Sequence, residues 1–561
     1  MTAPASSNRS RSPVDRAASS RLSRSAHVDS FARDNLPPPS QWPELLLDRP
    51  ELRYPDRLNA AEELLDRMVH SGHAESPVIH SEVDGKPVSC SYRQLLVRAN
   101  QIAHVLQQDM GLVPGNRVLL RAPNNPMMAA CWLAVIKAGC IAVATMPLLR
   151  AKELSQVIDK ARISAALCDA RLKDELLGAQ AQSPDLRKLL FFNDNSPGSL
   201  DSLLSRHDPH FDNVQTAADD VALIAFTSGT TGEPKGTMHF HRDVLAMCDL
   251  FPRSTLKPGP QDIFCGTPPL AFTFGLGGML CFPMRHGCST VLMERLTPDL
   301  LLKTIQDFRA TICFTAPTFY RQMAALVPKY RLDSLRQSVS AGEALPDATR
   351  QLWKQATGIE ILDGMGSTEM IHIFISHSEQ SARRGATGHA IPGYVATVLD
   401  EQGQPCAPGV VGRLAVKGPT GCRYLADSRQ SQYVQHGWNI TGDAFSMDAD
   451  GYFYYAARTD DMIISAGYNI GGPEVESALL THEAVAECGV VGVPDEERGQ
   501  IVKAFVVLKP GYLGDAAMAR ALQDYVKQSI APYKYPRAIE FRDSLPRTET
   551  GKLQRFRLRQ D

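Results

Sequence analysis

A loop rich in glycine and hydroxyl groups occupies residues 227–236, with the sequence Thr-Ser-Gly-Thr-Thr-Gly-Glu-Pro-Lys-Gly. It follows Val221–Phe226, an apolar run typical of a buried strand. Glycines let backbone N–H groups approach a ligand closely, the hydroxyl groups add donors, and a lysine adds a positive charge. We therefore predict an anion-binding loop formed by Thr227, Ser228, Gly229, Thr230, Thr231, Gly232 and Lys235.

The spacing excludes the Walker A phosphate loop, which requires Gly-x-x-x-x-Gly-Lys-Ser/Thr. Counting from Gly229, Pro234 stands in place of the second glycine, and Gly236 follows the lysine in place of Ser or Thr. The alternative is a surface loop between a strand and a helix that binds nothing. His239 and His241, which follow the loop, are expected to be structural or to support it.

Five further polar segments carry groups suited to a nucleotide, although each is a weak signal alone. The turn Asp363–Glu369 ends in hydroxyls and a carboxylate, so Thr368 and Glu369 are able to hold a phosphate and Mg²⁺ together. A helix cap at Ser367 or Thr368 is an equally good interpretation. The other segments read individually as turns or surface sequences: Ser340–Pro346, Thr441–Asp443, Arg458–Asp461 and Arg547–Lys552.

Alternating strands and helices must position these segments. Apolar runs at Arg117–Leu120, Ile141–Thr145 and Ala165–Cys168 alternate with helical stretches such as Met127–Lys137. This alternation predicts α/β layers around largely parallel sheets. Short strands with Gly/Asp turns after about Gly409 predict a small antiparallel, β-barrel-like unit.

A chain of 561 residues is too long for one hydrophobic core. We predict a disordered tail over residues 1–30, because residues 1–26 hold five arginines, many serines and almost no large apolar residues. A large α/β domain is expected over 31–459, and a small α+β domain over 460–561.

Composition and charge narrow the class of protein. A formal net charge of −2 favours neither nucleic acid nor an anionic membrane as a partner. No apolar run is long enough to span a membrane. The twelve cysteines show no paired spacing, so we expect free thiols in a reducing compartment, which predicts a cytoplasmic protein without a zinc site. The oligomeric state stays open, with a homodimer as one alternative.

In their order along the chain, these segments resemble the motifs of the adenylate-forming superfamily, which contains acyl-CoA synthetases, carrier-loading adenylation domains and luciferases. The resemblance extends from about Tyr92 to Arg557. It implies that a carboxylate attacks the α-phosphate of ATP, pyrophosphate leaves, and a thiol then displaces AMP. Such chemistry relies on positioning and electrostatics and needs no side-chain nucleophile.

The resemblance implies contacts to the nucleotide. The 227–236 loop would close over the phosphates, and Asp363 would contact the adenine amino group. Asp443 and Arg458 would bind the ribose. The other expected nucleotide contacts are Gly342, Glu343, Ala344, Gly364, Met365, Gly366 and Ser367.

Three residues are implied to act on the reacting groups and form the predicted catalytic set. Thr368 would bind the α-phosphate, Glu369 would bind Mg²⁺, and Lys552 would bridge the carboxylate and the forming acyl phosphate. The sequence departs from the family pattern at two positions. Met365 replaces an aromatic residue that usually stacks on adenine, and Ile464 replaces a common lysine; Met still covers a ring face.

Asp460 falls at the hinge of the family, where the small domain rotates between the half-reactions. Rotation would exchange Lys552 for the turn Ser465–Tyr468. Gly467 and Tyr468 of that turn would line the tunnel for the pantetheine arm of coenzyme A, since glycine leaves room for it.

Three stretches resemble the benzoate and 2-aminobenzoate CoA ligases in particular: Phe31–Trp42, Tyr54–Asn59 and Gly366–Phe374. The acyl pocket implied by this resemblance is flat and mostly apolar, and consists of Phe272, Phe274, Ala341, Gly364, His372 and Ile373. Because Phe272 and Phe274 are at strand spacing, plain core packing is an alternative. His372 is either a contact to a ring substituent or a hydrogen-bonded core histidine.

The sequence therefore predicts an AMP-forming ligase that uses ATP, Mg²⁺ and coenzyme A to convert a small aromatic acid into its CoA thioester. The alternative is a free-standing adenylation enzyme that loads an aryl acid onto a carrier protein. A catalytically silent binding protein is disfavoured, because the following charged residues are all present: Lys235, Glu369, Asp443, Arg458 and Lys552. The ring substituents of the acid stay open.

Overall fold

The computed structural model describes residues 22–83, 85–227, 233–465, 468–496, 498–547 and 552–560. They form a large N-terminal domain with three sheets and a small C-terminal α+β domain. The predicted fold class is confirmed. The sheets are mixed, and the expectation of largely parallel sheets holds only for the interior strands of the two larger ones.

Sheet A has six strands and carries the hairpin of the glycine-rich loop. In order across the sheet, the strands are Lys188–Phe192, Ala165–Asp169, Arg117–Arg121, Ile141–Thr145, Val221–Phe226 and Gly236–Phe240. The first five run parallel, and the last pair is antiparallel. The run Val221–Phe226 is almost entirely buried, which accounts for its unbroken apolar sequence.

Sheet B has nine strands and brings distant motifs together. In order, the strands are His389–Ala390, Ile373–Ser376, Ile361–Gly366, Gln337–Ala341, Ile312–Thr315, Ile263–Gly266, Ser289–Val291, Pro77–Val83 and Lys86–Ser91. The interior strands are parallel, and antiparallel strands complete both ends. Parallel neighbours end at the same edge, so polar segments that follow them meet there.

Helices cover both larger sheets. Helix Tyr92–His104 begins at a capping box, in which Ser91 and Gln94 satisfy each other's backbone N–H groups. The other helices of the large domain are Phe31–Asp34, Pro126–Lys137, Ala151–Ala161, Lys173–Gln182, Leu200–Leu204, His241–Phe251, Thr273–Leu276, Phe282–Arg285, Pro298–Phe308, Pro317–Ala324, Asp347–Thr357 and Gln430–Tyr433. Wider π-type turns occur at Glu62–Asp66, Val69–His73, Val105–Asp109, Pro252–Leu256 and Gly277–Cys281.

Sheet C is the predicted small antiparallel unit, and it begins earlier than residue 409. Its five strands are Val395–Leu399, Gly412–Lys417, Val434–Gln435, Trp438–Met447 and Phe453–Arg458. The last two strands pair directly, which places the ends of the Thr441–Asp443 and Arg458–Asp461 segments side by side.

In its described residues, the small domain has three helices and two sheets of its own, one with two strands and one with three. Its strands are Ile463–Ser465, Tyr468–Ile470, Val485–Asp495, Gly499–Leu508 and Ala538–Phe541, and its helices are Gly472–Leu479, Ala516–Ser529 and Arg555–Leu558. A separate buried cluster that includes Val475, Val490, Ala504 and Leu522 forms its core. An independent core is what a domain of about a hundred residues requires.

The predicted N-terminal tail must be shortened, because residues 22–30 are part of the folded domain. Ser25 donates a hydrogen bond to Asp220 at 2.5 Å, and the backbone N–H of Ser23 donates to Asp219 at 3.0 Å. Asp29 forms an ion pair with the buried Arg117. Buried polar partners for this segment explain why its serine-rich composition alone was misleading; residues 1–21 lie outside the described residues.

All twelve cysteines are free, and ten of them are buried. They therefore behave as small core residues, as their irregular spacing predicts. Over the described ranges, no helix combines the length and the apolar character needed to cross a membrane.

Candidate active site

The glycine-rich loop is the turn of an antiparallel hairpin and is not followed directly by a helix. Val221–Phe226 enters the loop and Gly236–Phe240 leaves it, and at its base the Thr227 N–H donates to the Lys235 carbonyl at 3.0 Å. The expected ligands Ser228, Gly229, Thr230, Thr231 and Gly232 lie outside the described residues. The element that follows the loop is the strand Gly236–Phe240, whereas a helix follows the loop of a P-loop site.

The segments expected around the adenine lie side by side on sheet B. Ser340 is the register partner of Asp363, and Ala341 is the partner of Gly364. The chain then turns through Gly342, whose φ of +90° is a left-handed conformation suited to glycine, into Glu343 and Ala344. Two parallel strands thus deliver both predicted segments to one edge.

Asp363 is held in an environment that disfavours its charge. Burial raises the pKa of its carboxyl to about 7, although hydrogen bonds with Thr387 and the Gly364 N–H oppose the shift. The Asp363 N–H donates to His377 Nε2 at 3.2 Å, and the Ser376 hydroxyl donates to the Asp363 carbonyl at 2.6 Å. The backbone here is fixed on both sides, so the carboxyl group has a defined position.

Gly364 and Gly366 serve the packing of the neighbouring strand Ile373–Ser376. A Cβ at Gly364 would lie 2.5 Å from Ile373 Cδ1, and a Cβ at Gly366 would lie 2.8 Å from the carbonyl oxygen of His372. The sequence attributes these glycines to close approach of a planar ligand. Steric contact with the returning strand is a second reason for glycine at both positions. Met365 between them is half-buried against the core.

The segment Ser367–Glu369 forms a tight turn and does not begin a helix. The Ser367 hydroxyl accepts a hydrogen bond from the Met370 N–H at 3.2 Å, so the cap interpretation applies to a turn only. Ile371 has a φ of +66°, which is strained for a β-branched residue. The Thr368 carbonyl accepts a hydrogen bond from His239 Nε2 at 2.8 Å. This hydrogen bond fixes the position of the turn.

His239 supports this turn as a neutral imidazole. Burial lowers its pKa to about 4, and because a carbonyl only accepts, Nε2 carries the proton. Beside it, Asp243 accepts from the buried Arg423 at 2.8 Å. His241 is structural, since its Nδ1 accepts a hydrogen bond from the backbone N–H of Ala60 at 3.1 Å. Both histidines therefore have structural roles, and the turn that His239 supports is that of Thr368 and not the glycine-rich loop.

Glu369 is a buried carboxylate with a tyrosine hydroxyl at hydrogen-bond distance. The Tyr424 hydroxyl donates to Glu369 Oε1 at 2.5 Å. Burial raises the pKa of the Tyr424 hydroxyl well above its ordinary value, so it stays protonated and donates. In the described part of the chain no group of three or more His, Cys, Asp and Glu side chains is arranged for a metal. One carboxylate beside Thr368 nevertheless fits Mg²⁺, which binds through one or two carboxylates and substrate phosphates.

Asp443 and Arg458 face each other across the paired strands of sheet C. They are register partners, and Arg458 Nη1 lies 3.3 Å from Asp443 Oδ1. Burial raises the pKa of Asp443, and the charge of Arg458 opposes that shift. Gly442 has a φ of +77°, and a Cβ there would lie 3.1 Å from Arg458 Nη2. The glycine therefore allows the pair to form.

Lys552 of the small domain reaches the site of the large domain. A Cβ at Gly342 would lie 3.3 Å from Lys552 Cε and 3.5 Å from Nζ. This side chain keeps access to solvent, yet the protein packed around it lowers its pKa. The positive charge of Arg458 lowers the pKa further, whereas the negative charges of Glu343 and Asp443 raise it. Burial also raises the pKa of Glu343. The structure thus brings the predicted lysine to the predicted nucleotide residues.

Contacts between the two domains hold this arrangement. Arg321 of the large domain donates to the Ala486 carbonyl at 3.2 Å and to the Val485 carbonyl at 3.5 Å. Arg547 of the small domain lies 3.8 Å from Glu343. A cavity of about 270 Å³ lies between the domains beside these contacts.

Tyr468 lies on the outer surface of the small domain in this arrangement. Its side chain is 54% exposed and stacks on Tyr533 with ring centres 4.6 Å apart. Asp460 lies in a short 3₁₀ turn, Thr459–Asp461, between the domains. Gly467 and the side chain of Asp460 lie outside the described residues. In this arrangement Lys552 lies beside the large domain, whereas the exposed ring of Tyr468 contacts Tyr533 of its own domain.

Five of the six residues of the predicted acyl pocket come together around His372. His372 Nε2 donates to the Phe274 carbonyl at 3.3 Å, and the two rings lie 5.6 Å apart. Burial lowers the pKa of His372 to about 3, so the ring is neutral. Ile373 follows it and contacts Gly364, beside Ala341. These five positions form one continuous patch.

Phe272 and Phe274 are not on a strand, which removes the strand-spacing argument for core packing. Phe272 precedes the short helix Thr273–Leu276, and Phe274 lies within it. Both side chains are half-buried, whereas Thr273 is buried. Phe272 lines a small cavity with Trp132 of the helix Pro126–Lys137 and with residues of sheet A such as Ala142 and Leu223.

The sequence analysis missed Tyr424 and Arg423. Neither lies in a motif, and Tyr424 is far from Glu369 along the chain. The segment around them pairs with the strand after the glycine-rich loop, because the Leu425 N–H donates to the Gly236 carbonyl at 2.8 Å. Only an alternation pattern over 420–425 would have signalled a strand beside the site.

Two family models match the chain. The model described as AMP-binding enzyme matches residues 68–424, and the AMP-binding enzyme C-terminal domain matches residues 474–552. Together they cover most of both domains.

Several characterised relatives span nearly the whole chain. A benzoate–CoA ligase of Thauera aromatica is 36% identical over 516 residues, which are 91% of this chain and 97% of that protein. The structure of the anthranilate CoA ligase AuaEII with anthranoyl-AMP has a TM-score of 0.85 at 32% identity, with 91% and 98% coverage. A benzoate CoA ligase of Burkholderia xenovorans LB400 has a TM-score of 0.81 at 31% identity, with 89% and 99% coverage.

Proposed function

The chain belongs to the AMP-binding enzyme family and is an AMP-forming acid–thiol ligase, and we propose that its acid is benzoate or a closely related benzoate such as 2-aminobenzoate. The observation that carries this proposal is the apolar patch of Phe274, His372, Ile373, Ala341 and Gly364. Gly364 follows Asp363 on the same strand and Ala341 lies on the neighbouring strand, so an acid bound there would adjoin the nucleotide. A flat apolar slot suits an aromatic ring better than a flexible chain.

The reaction needs two anions to meet, and the residues of this chain reduce their repulsion. A carboxylate oxygen of the acid bonds to the α-phosphorus of ATP, the bond to the bridging oxygen breaks, and pyrophosphate leaves. Lys552 and Lys235 place positive charge where negative charges converge. Thr368 would bind the α-phosphate, and Glu369 would hold Mg²⁺, which neutralises phosphate charge when bound. Asp363, Asp443 and Arg458 would orient the nucleoside.

The second half-reaction transfers the acyl group to coenzyme A. The thiolate sulfur bonds to the carbonyl carbon of the acyl adenylate, the bond to the phosphate oxygen breaks, and AMP leaves. We infer that rotation at Asp460 replaces Lys552 by the face carrying Tyr468 and Gly467. The exposure of Tyr468 supports this inference, because its ring is available to a new contact.

The hydrogen bonding of His372 suggests which substituent the ring of the acid carries. Its Nε2–H donates to the Phe274 carbonyl, so Nδ1 of the neutral ring is an acceptor, and Nδ1 is buried without a partner among the described residues. An amino group on the ring of the acid would donate to it. We therefore favour 2-aminobenzoate alongside benzoate.

A pyrophosphate-release assay tests the acid. The panel is benzoate, 2-aminobenzoate, the hydroxybenzoates and hexanoate, each with and without coenzyme A. We expect AMP and pyrophosphate, with benzoates preferred and full turnover only with coenzyme A. Steady ADP formation or preference for hexanoate would refute the proposal. If the enzyme forms one equivalent of acyl-AMP and coenzyme A does not restore continuous turnover, a carrier protein is favoured as the acceptor.

His372→Phe tests the substituent contact with an internal control. The substitution keeps an aromatic ring and removes the acceptor. We expect the ratio of kcat/KM for 2-aminobenzoate to that for benzoate to fall about 2- to 12-fold, the usual effect of one hydrogen bond. An unchanged ratio would show that His372 does not contact the substituent, whatever happens to the absolute rates.

A further inference from the structure

Tyr424 lies between two groups that the reaction uses, although no sequence motif includes it. It belongs to residues 421–425, which run antiparallel to the strand leaving the glycine-rich loop and form a bridge between Tyr424 and Thr237. The Met238 N–H donates to the Arg423 carbonyl at 2.8 Å. The backbone of Tyr424 is thus tied to the loop on which Lys235 lies.

The side chain of Tyr424 is fixed and its hydroxyl has one clear acceptor. The residue is 1% exposed, and its hydroxyl donates to Glu369 Oε1 at 2.5 Å. Its own N–H donates to Gln430 Oε1 at 2.9 Å, and the ring packs edge-on against Tyr433. A hydrogen bond to a carboxylate in such a buried position is stronger than a neutral one.

The ring of the same tyrosine contacts the other group. Lys235 Nζ lies 5.4 Å from the ring centre, within the range of a cation–π interaction. One side chain therefore touches both the lysine expected at the phosphates and the carboxylate expected at the metal. The two are otherwise on separate loops.

We propose that Tyr424 is a positioning residue that orients the Glu369 carboxylate for Mg²⁺ and keeps Lys235 beside it. This rests on the proposed role of Glu369 as the Mg²⁺ ligand. With one oxygen held by the hydroxyl, the carboxylate cannot rotate freely and has lone pairs left for the metal. Partners that orient a metal ligand typically contribute 10- to 100-fold to metal affinity.

The test is Tyr424→Phe, which removes the hydroxyl and keeps the ring against Lys235. Binding of Mn²⁺ in the presence of α,β-methylene-ATP is measured by electron paramagnetic resonance. We expect the dissociation constant for Mn²⁺ to rise about 10-fold or more. The Mg²⁺ concentration for half-maximal pyrophosphate release should rise in parallel, while ATP binding without metal stays within about 2-fold.

Tyr394→Phe is the matched control. Tyr394 is also buried, and its hydroxyl contacts Thr420 at 3.2 Å in the same part of the chain without touching Glu369. Its loss should leave Mn²⁺ affinity unchanged. If Tyr424→Phe does not fold, 4-fluorophenylalanine at position 424 fills the volume of the hydroxyl without donating, and the same loss of affinity is expected.

Glu369→Gln separates this inference from the function it rests on. If Glu369→Gln leaves Mn²⁺ affinity unchanged, the proposed metal role of Glu369 is wrong. If Glu369→Gln weakens Mn²⁺ binding and the Tyr424 variants match wild type or the Tyr394 control, the positioning role is overturned. Weaker binding in both supports it.

Discussion

Lys552→Ala is the substitution that most directly separates the two half-reactions. In the arrangement described, the ammonium group lies beside Gly342, with Glu343, Asp443 and Arg458 around it. It comes from the small domain, whereas the nucleotide residues come from the large one. Its removal therefore deletes one positive charge from the adenylation site without changing the large domain.

The magnitude follows from that environment. Removal of a single preorganised donor typically slows a reaction about 10²–10³-fold. The docking contacts of Arg321 with the Ala486 and Val485 carbonyls remain, so the small domain keeps its position. The loss then reflects the ammonium group itself. We expect adenylation to slow about 10²–10³-fold and thioester formation from supplied acyl-AMP to stay within about 3-fold.

The assay measures the half-reactions separately. Pyrophosphate exchange reports adenylation, and a chemically prepared aryl-AMP with coenzyme A reports thioester formation. Lys503→Ala is the control, because Lys503 pairs with Glu540 at 2.9 Å within the small domain. It should leave both rates near wild type. Equal losses in both half-reactions of a folded Lys552→Ala enzyme would refute the assigned role.

Two other predictions concern the hinge and the nucleotide site. Asp460→Pro fixes φ near −65° and removes an N–H, so the domains can no longer rotate at this position. We expect the variant to keep one half-reaction, adenylation, and to lose thioester formation. Equal losses of both rates in a folded variant would show that Asp460 is not the hinge. Burial raises the pKa of Asp363 to about 7, so the carboxylate that we propose accepts from the adenine amino group becomes protonated as the pH falls below about 7. The KM for ATP should rise several-fold between pH 7.5 and 6, and Asp363→Asn should remove that pH dependence; an identical pH profile in the variant would contradict this reasoning.

Local patterns in the sequence were sufficient for many individual elements. Apolar runs identified Ile141–Thr145 and Val221–Phe226 with the bounds observed, because a strand buried on both faces must be continuously apolar. The capping box of Ser91 and Gln94, which begins the helix Tyr92–His104, is likewise a local pattern. The order of short polar motifs was enough to indicate the adenylate-forming family. Each run, cap and motif involves only residues that are close together in the chain.

Contacts between residues far apart in the chain required the tertiary structure. The hydroxyl of Tyr424 reaches Glu369, and His239 reaches the Thr368 carbonyl, only because loops from different sheets meet at one edge. The contact of Ile373 with Gly364, a second reason for glycine at that position, is visible only once the returning strand is in place.

The ordering of residues 22–30 was also decided by tertiary contacts, since a serine-rich segment folds only where the large domain supplies buried carboxylates such as Asp220. The sequence by itself determined the elements and the chemical groups available to them. Which groups support one another was decided by packing, because side-chain reach is a few ångströms and the partners are brought within it only by the assembled sheets.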